Sequence, residues 1–149
     1  DGLYVRAGSG HGEGETPAVR AVIEAQRVDF IAVPTQDVAR SEEFYGHVLG
    51  LEKNPNSLHD WIEFETGNVT LALFSAEGHG REFVPLPHDS IALRVPDVEA
   101  AKAKLEAAGV ECGEMWDSGG CNGASFTDPD GNGILIHHRY APYPDGSLP

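Results

Sequence analysis

The feature that most constrains this chain is an internal repeat. Phe30-Ile31-Ala32-Val33 and Ser90-Ile91-Ala92-Leu93 match at an offset of sixty positions, and Asp37-Val38 matches Asp97-Val98 at the same offset. After one deletion, Gly50-Leu51-Glu52 corresponds to Gly109-Val110-Glu111. A unit that recurs in this way cannot bury its apolar side alone, so two related modules packed on each other are the economical reading. The apolar start of each copy predicts a strand, and the Asp that follows is placed to accept from the free amides of a helix's first turn. Val98, Ala101, Leu105 and Ala108 then fall on one stripe, with Gly109 positioned for a left-handed C-terminal cap. Val38, Ser41, Tyr45 and Val48 repeat that stripe ahead of Gly50.

After each helix, extended sequence is broken by a turn. Trp61-Ile62-Glu63-Phe64, Gly67-Asn68 and Val69 to Phe74 predict a hairpin in module one. Ala124-Ser125-Phe126, the turn Asp128-Pro129-Asp130-Gly131-Asn132 and Ile134-Leu135-Ile136-His137 predict its counterpart. Further strands near Lys53 and near Glu114 to Trp116 complete βαβββ in each half. The expected organisation is an N-terminal arm over 1–26 and one domain over 27–149. That domain comprises modules 28–75 and 88–139, a linker 76–87 rich in Gly and Pro, and a tail 140–149. The arm, with four glycines around Ser9, His11 and Glu13, has little to bury and is read as flexible or packed on the domain or a partner. Leu3-Tyr4-Val5 and Val19 to Ile23 are weak strand candidates within it.

Composition narrows the partners. The 149 residues suit one compact domain, and Lys plus Arg total 10 against 24 Asp plus Glu. The resulting net charge of -14 repels phosphate backbones and anionic membrane surfaces and favours cationic ligands, so neither nucleic acid nor membrane is an expected partner. No apolar run approaches the roughly 20 residues that span a bilayer, and the acidic start lacks a basic segment leading into an apolar one. Cys112 and Cys121 lie nine residues apart without CxxC spacing, which gives neither a zinc knuckle nor a disulfide framework. A cytoplasmic protein is the expectation. There is no Gly-x-Ser-x-Gly elbow, Walker loop, HExxH helix or dinucleotide glycine fingerprint.

Several motifs, taken in order and duplicated, resemble a known family. They are the paired strand starts at Phe30 and Ser90, Phe44-Tyr45 followed by Val48-Leu49-Gly50-Leu51, and Phe126-Thr127-Asp128-Pro129-Asp130-Gly131-Asn132. From Val28 to Arg139 the chain resembles the vicinal oxygen chelate superfamily, the glyoxalase, bleomycin-resistance and dioxygenase fold. The resemblance implies an α+β fold of two βαβββ modules whose curled mixed sheets surround a shared cleft, and it implies a homodimer. In the family's enzymes, His and Glu on the first and last strands of each module hold a divalent metal that acts as a Lewis acid on the substrate. Matched by position, those sites are Phe30, Ser90, Ala72 and Leu135. Three of these side chains have no lone pair, and a neutral Ser hydroxyl is a poor substitute for imidazole or carboxylate. No cofactor is therefore expected at the usual site.

Strand alternation sorts the two sides of each sheet. Phe30, Ala32, Ala72 and Phe74 are expected on the cleft side with Ser90, Arg94, Leu135 and His137, and with Trp61, Glu63 and Trp116. That is an apolar, aromatic groove with one carboxylate, one guanidinium and one imidazole, the mixture of an organic-ligand pocket. No catalytic residue is assigned. Plainer readings stand beside these: Trp61 and Trp116 as packing aromatics, and Arg94 and Glu63 as a pair that neutralise each other across the groove. Tyr45 reads as partly buried helix stripe, and His59, His79 and His88 as solvated loop residues. Cys121 reads as a small buried hydrophobe. His137 and His138 point to opposite faces and cannot share one ion.

Three functions stay open. The preferred one is a metal-independent binding protein that sequesters a small amphipathic, aromatic or cationic compound. A second is a lyase or extradiol-type dioxygenase in which Zn, Ni, Mn or Fe is held by relocated ligands such as Glu63, His137 and His59, with their outer supports rebuilt. The third is an interaction or regulatory module whose groove takes a partner segment or the chain's own Leu3 to Val5.

Overall fold

The structure, a computed structural model, describes Val5–Arg6 and residues 19–149. Strand β1 (Val5–Arg6) pairs antiparallel with β2 (Val19–Arg20), and the second ends there rather than running on to Ile23. Leu3 and Tyr4 lie outside the described residues.

Module one runs through β3 (Phe30–Thr35), α1 (Val38–Glu43), β4 (Glu52–Lys53), β5 (Trp61–Glu65) and β6 (Thr70–Ser75). Module two repeats the series as β7 (Ile91–Arg94), α2 (Val98–Ala107), β8 (Trp116–Asp117), β9 (Cys121–Thr127) and β10 (Gly133–Arg139). Each module builds its own four-stranded mixed sheet, ordered β3-β6-β5-β4 and β7-β10-β9-β8. In both, the first strand lies parallel to the last and the remaining pairs are antiparallel, because the helical crossover returns the chain to the sheet in the same direction. No helix among the described residues is long and apolar enough to cross a membrane.

The helix signals act as read. Asp37 and Asp97 accept from the amides of Arg40 and Ala100 at 3.1 and 2.9 Å. Gly50 and Gly109 sit beyond the helices at φ 70° and 86°, where a side chain would be strained. Helix α1 departs from expectation in one respect: it continues as a π-helical turn, Phe44–Val48, closed by the Leu49 amide on the Phe44 carbonyl at 3.0 Å. The wider turn brings the adjacent Phe44 and Tyr45 both inward.

Those two rings determine how the modules meet. Tyr45 packs near Phe64 of its own sheet, with ring centroids 6.1 Å apart, while Phe44 lies 6.4 Å from Phe126 of the other sheet. One continuous core takes Val33, Phe64 and Leu73 from the first sheet and Ile91, Ile134 and Ile136 from the second. The helix-bearing faces of both sheets thus turn toward a common interior. The opposite faces look outward, one per module.

The β9–β10 turn latches the modules together. Asp128 accepts at 2.8 to 2.9 Å from the Tyr45 hydroxyl, the Asp130 and Asn132 amides and the Asn132 side chain. Asn132 also donates to the Pro34 carbonyl at 2.8 Å and accepts from the Leu86 amide at 2.7 Å. Tyr45 is fully buried, not partly as its place on the stripe suggested. Burial, and then the neighbouring Asp128 carboxylate, push its phenol well above the ordinary tyrosine range.

Asp130 receives the Thr35 and Ser41 hydroxyls at 2.6 and 2.8 Å, the Gln36 amide at 2.9 Å and the Arg40 guanidinium at 3.0 Å. Burial pushes its pKa upward, but these four partners outweigh it and hold the carboxyl below its usual range. Beside the latch, a Cβ on Gly133 would stand 2.2 Å from the Pro87 carbonyl oxygen, so the linker can cross β10 only over a glycine.

Candidate ligand-binding faces

On the open face of module one, strand register sets Glu65, Thr70 and Phe30 in one cross-strand row, Glu63, Ala72 and Ala32 in the next, and Trp61, Phe74 and Pro34 in the third. The aromatic side chains gather at one end. Phe30 meets Trp61 edge to face at 5.4 Å, and Trp61 lies 6.2 Å from Phe74. The Trp61 indole N–H donates to Glu63 at 3.0 Å, and the Asn54 side chain donates to the other Glu63 oxygen at 3.2 Å. The carboxylate is therefore oriented rather than free to swing. Phe30 is 49% exposed, so its ring is open to a ligand at no cost in unpacking.

Two residues from the linker complete this face, and strand alternation did not bring them in. The His79 ring lies 6.0 Å from Trp61 and 5.7 Å from Phe74, so it is not simply solvated as expected. The Arg81 guanidinium sits 5.5 Å from the Phe74 centroid, within cation–π range. Both are delivered by a short 3-10 turn, Glu77–His79, capped by Gly80 at φ 64°. No periodicity in the sequence marks such residues, because a turn has none.

On module two the row is Trp116, Gly123, His137 and Arg94, with Ser125, Leu135 and Ala92 beside it. Gly123 is required here. A Cβ in its place would meet Trp116 Cζ2 at 2.7 Å and Leu135 Cδ1 at 3.0 Å, so only a glycine lets the indole lie across the strand. The His137 ring is 6.0 Å from Trp116, while His138 turns the other way and bonds the Val95 carbonyl at 2.9 Å, as alternation required. Ser125 donates to Asp89 at 2.6 Å at the edge of this platform.

The positions expected to replace metal ligands are split between the faces. Phe30 and Ala72 lie on the first sheet, whereas Leu135 is on the second and Ser90 stands just ahead of β7 with its hydroxyl donating to the Pro87 carbonyl at 2.6 Å. Hydrocarbon side chains and one neutral hydroxyl, a weak ligand beside imidazole or carboxylate, do not fit a divalent metal. Among the described residues no three His, Cys, Asp or Glu side chains are grouped to hold an ion. Within one chain Glu63 and His137, two of the ligands in the relocated-metal reading, sit on different sheets, and the His59 side chain is 95% exposed.

Nor do Glu63 and Arg94 pair within one chain. They belong to the faces of different modules, and the Arg94 guanidinium donates to the Arg139 carbonyl at 3.3 Å. His88 is solvated as expected, with only Asp89 3.2 Å away. Cys121 is half-buried, its sulfur 3.3 Å from the Ser118 hydroxyl.

The model of the Glyoxalase/Bleomycin resistance protein/Dioxygenase superfamily matches residues 27–136. Among solved structures, the chain is similar to TnmS3, an antibiotic binding protein from Streptomyces sp. CB03234, at 23% identity and a TM-score of 0.66, covering 78% of this chain and 98% of that one. It is similar to a lactoylglutathione lyase from Agrobacterium tumefaciens at 19% identity and a TM-score of 0.64, covering 76% and 94%. A glyoxalase/bleomycin resistance protein/dioxygenase superfamily member from Sphaerobacter thermophilus DSM 20745 gives 21% identity and a TM-score of 0.66, covering 76% and 97%. No curated protein matches the chain by sequence. At these identities the structures establish the fold, an antibiotic binder and a lyase alike.

Proposed function

The chain belongs to the glyoxalase/bleomycin resistance protein/dioxygenase superfamily, and on that premise we propose that it is a metal-independent, cytoplasmic binding protein that sequesters a small aromatic or amphipathic compound. The observation that carries this reading is the exchange of chemistry at four positions. Where the family's enzymes present metal ligands, this chain presents Phe30, Ala72, Ser90 and Leu135 among Trp61, Phe74, Trp116 and His137. Such a surface stacks on a planar or cationic molecule and offers no metal ligand at those four positions. The resemblance to an antibiotic binding protein supports it. The net charge of -14 supports a cationic ligand and argues against nucleic acid and anionic membrane.

A ligand on a single open face would be half covered. The reading therefore includes a homodimer, in which the module-one face of one copy stands opposite the module-two face of its partner and two clefts result. In this account Trp61 and Trp116 clamp the ligand from opposite walls, with Glu63 oriented by Trp61 to meet a positive charge, and Ala32 and Ala72 leave room between them. Arg94 and His137 supply hydrogen-bond donors at the far wall.

Trans-complementation tests both parts at once. Trp61→Ala and Trp116→Ala are each expected to lose binding of compounds selected from a panel of cationic antibiotics and aromatic metabolites. A mixture refolded together should regain sites, because the heterodimer carries both lesions in one cleft and none in the other. Full binding by either single variant would contradict the clamp. Loss in both without recovery in the mixture would place each cleft within one chain.

A further inference from the structure

The two modules do not meet each other in equivalent ways. Thr35, Ser41 and Tyr45, whose hydroxyls serve the Asp128–Asn132 latch, correspond at the sixty-residue offset to Val95, Ala101 and Leu105. Every hydroxyl has become hydrocarbon. The facing turn has changed with them: the pair Glu65 and Thr70 encloses four residues, against five between Thr127 and Gly133, and the four carry no carboxylate. Where the longer turn plugs the seam at α1, the shorter one leaves a cavity of about 590 Å³ beside α2.

Val95, Ala101 and Leu105 line this cavity together with Thr66, Asn68 and Val69 of the short turn, so it occupies the counterpart of the latch. It opens on the helix-bearing side of the sheets and shares neither Trp61 nor Trp116 with the proposed clefts. Its charge is unlike the rest of the molecule. In a chain with 24 acidic residues, no Asp or Glu among the described residues lines it, while Arg94 and Lys104 both do. The volume is that of a small organic ligand, and hydrocarbon walls under a cationic rim select an anion with an apolar body.

We propose that this cavity is a second ligand site, which takes a small amphipathic carboxylate such as a medium-chain or arylalkyl acid. The hydrocarbon lies against Ala101, Leu105 and Ile91, and the carboxylate meets Lys104. The hydrocarbon at these three positions forms the walls, and the shorter turn leaves the space.

The test is calorimetric titration of the full chain with decanoate, with decanol and decyltrimethylammonium as neutral and cationic controls. Saturable binding of one decanoate per chain is expected, with the two controls weaker by about tenfold or more, the loss of a charge-assisted contact. Lys104→Glu, an exposed change that leaves the melting temperature in place, should weaken decanoate about tenfold as well. Ala101→Phe should fill the cavity and abolish binding, whereas Trp61→Ala should leave it unchanged. No saturable uptake, equal affinity for the three amphiphiles, or sensitivity to Trp61→Ala in place of Ala101→Phe would overturn the proposal. A failure here leaves the trans-complementation result standing, since that experiment reads Trp61 and Trp116, neither of which lines this cavity.

Discussion

The seam at α1 and the seam at α2 are built from corresponding positions, yet one is a polar latch and the other a hollow. At the first, buried hydroxyls and an amide converge on Asp130 and a buried phenol on Asp128. At the second, the corresponding positions offer Val95, Ala101 and Leu105 to a turn that does not reach them. The internal repeat sets corresponding positions at both seams, and the polar contacts of Asp128 and Asp130 lie at one of them. At the other seam the three hydroxyl positions are hydrocarbon as a set. A partial loss would strand a buried donor or acceptor, which costs more than removing both partners.

The comparison can be broken most severely at Asp128. Replacing it with Ala leaves the Tyr45 hydroxyl and the Asn132 amide group buried without their acceptor, and should destabilise the fold by about 3–5 kcal/mol. Urea or guanidinium denaturation measures this directly. An effect below about 1 kcal/mol would mean that the latch is incidental to the packing of Phe44 on Phe126.

Asp130 adds a pH signature. Its folded-state pKa is lowered, so its contribution to stability is fully present above the ordinary carboxylate range and is lost as pH falls through the folded value. Asp130→Asn should therefore cost about 2 kcal/mol near neutrality and flatten the acid limb of stability against pH. An acid limb as steep as that of the unchanged chain would assign the dependence to other carboxylates.

The finest contrast is a pair of reciprocal changes at corresponding positions. Ser41→Ala removes a hydroxyl from Asp130 and should cost about 1–2 kcal/mol. Ala101→Ser adds a hydroxyl where no carboxylate waits and should shift stability by about 0.5 kcal/mol or less. Equal effects from the two would erase the asymmetry.

Much of the architecture could be read from the sequence because its signals are local and repeated. Period-two alternation placed Trp61 and Glu63 opposite Ile62 and Phe64, and the Asp37 and Asp97 caps and the Gly50 and Gly109 stops marked the helices. The same alternation separated His137 from His138. What escaped depends on long-range partners. Asp128-Pro129-Asp130-Gly131-Asn132 reads as a turn, and nothing local says that both carboxylates are spent on residues more than eighty positions away. The π-helical turn that carries Phe44 inward breaks the 3.6-residue period on which the stripe was read. His79 and Arg81 join the aromatic face from a linker, and within one chain Glu63 and Arg94 lie apart because the two modules present their open faces in separate places.

The proposed function rests on ligand capture without a metal, and the chain carries its own probe, since its two tryptophans, Trp61 and Trp116, both lie on the open faces. The decisive measurement follows tryptophan emission as chelator-stripped protein is titrated with the compound panel, then repeats the titration after addition of Zn, Ni, Mn or Fe(II) while the melting temperature is recorded. The account predicts saturable quenching in the stripped protein, unchanged by metal, and no stoichiometric metal uptake that raises the melting temperature. Quenching that appears only after one metal per chain has bound and stabilised the fold would contradict it.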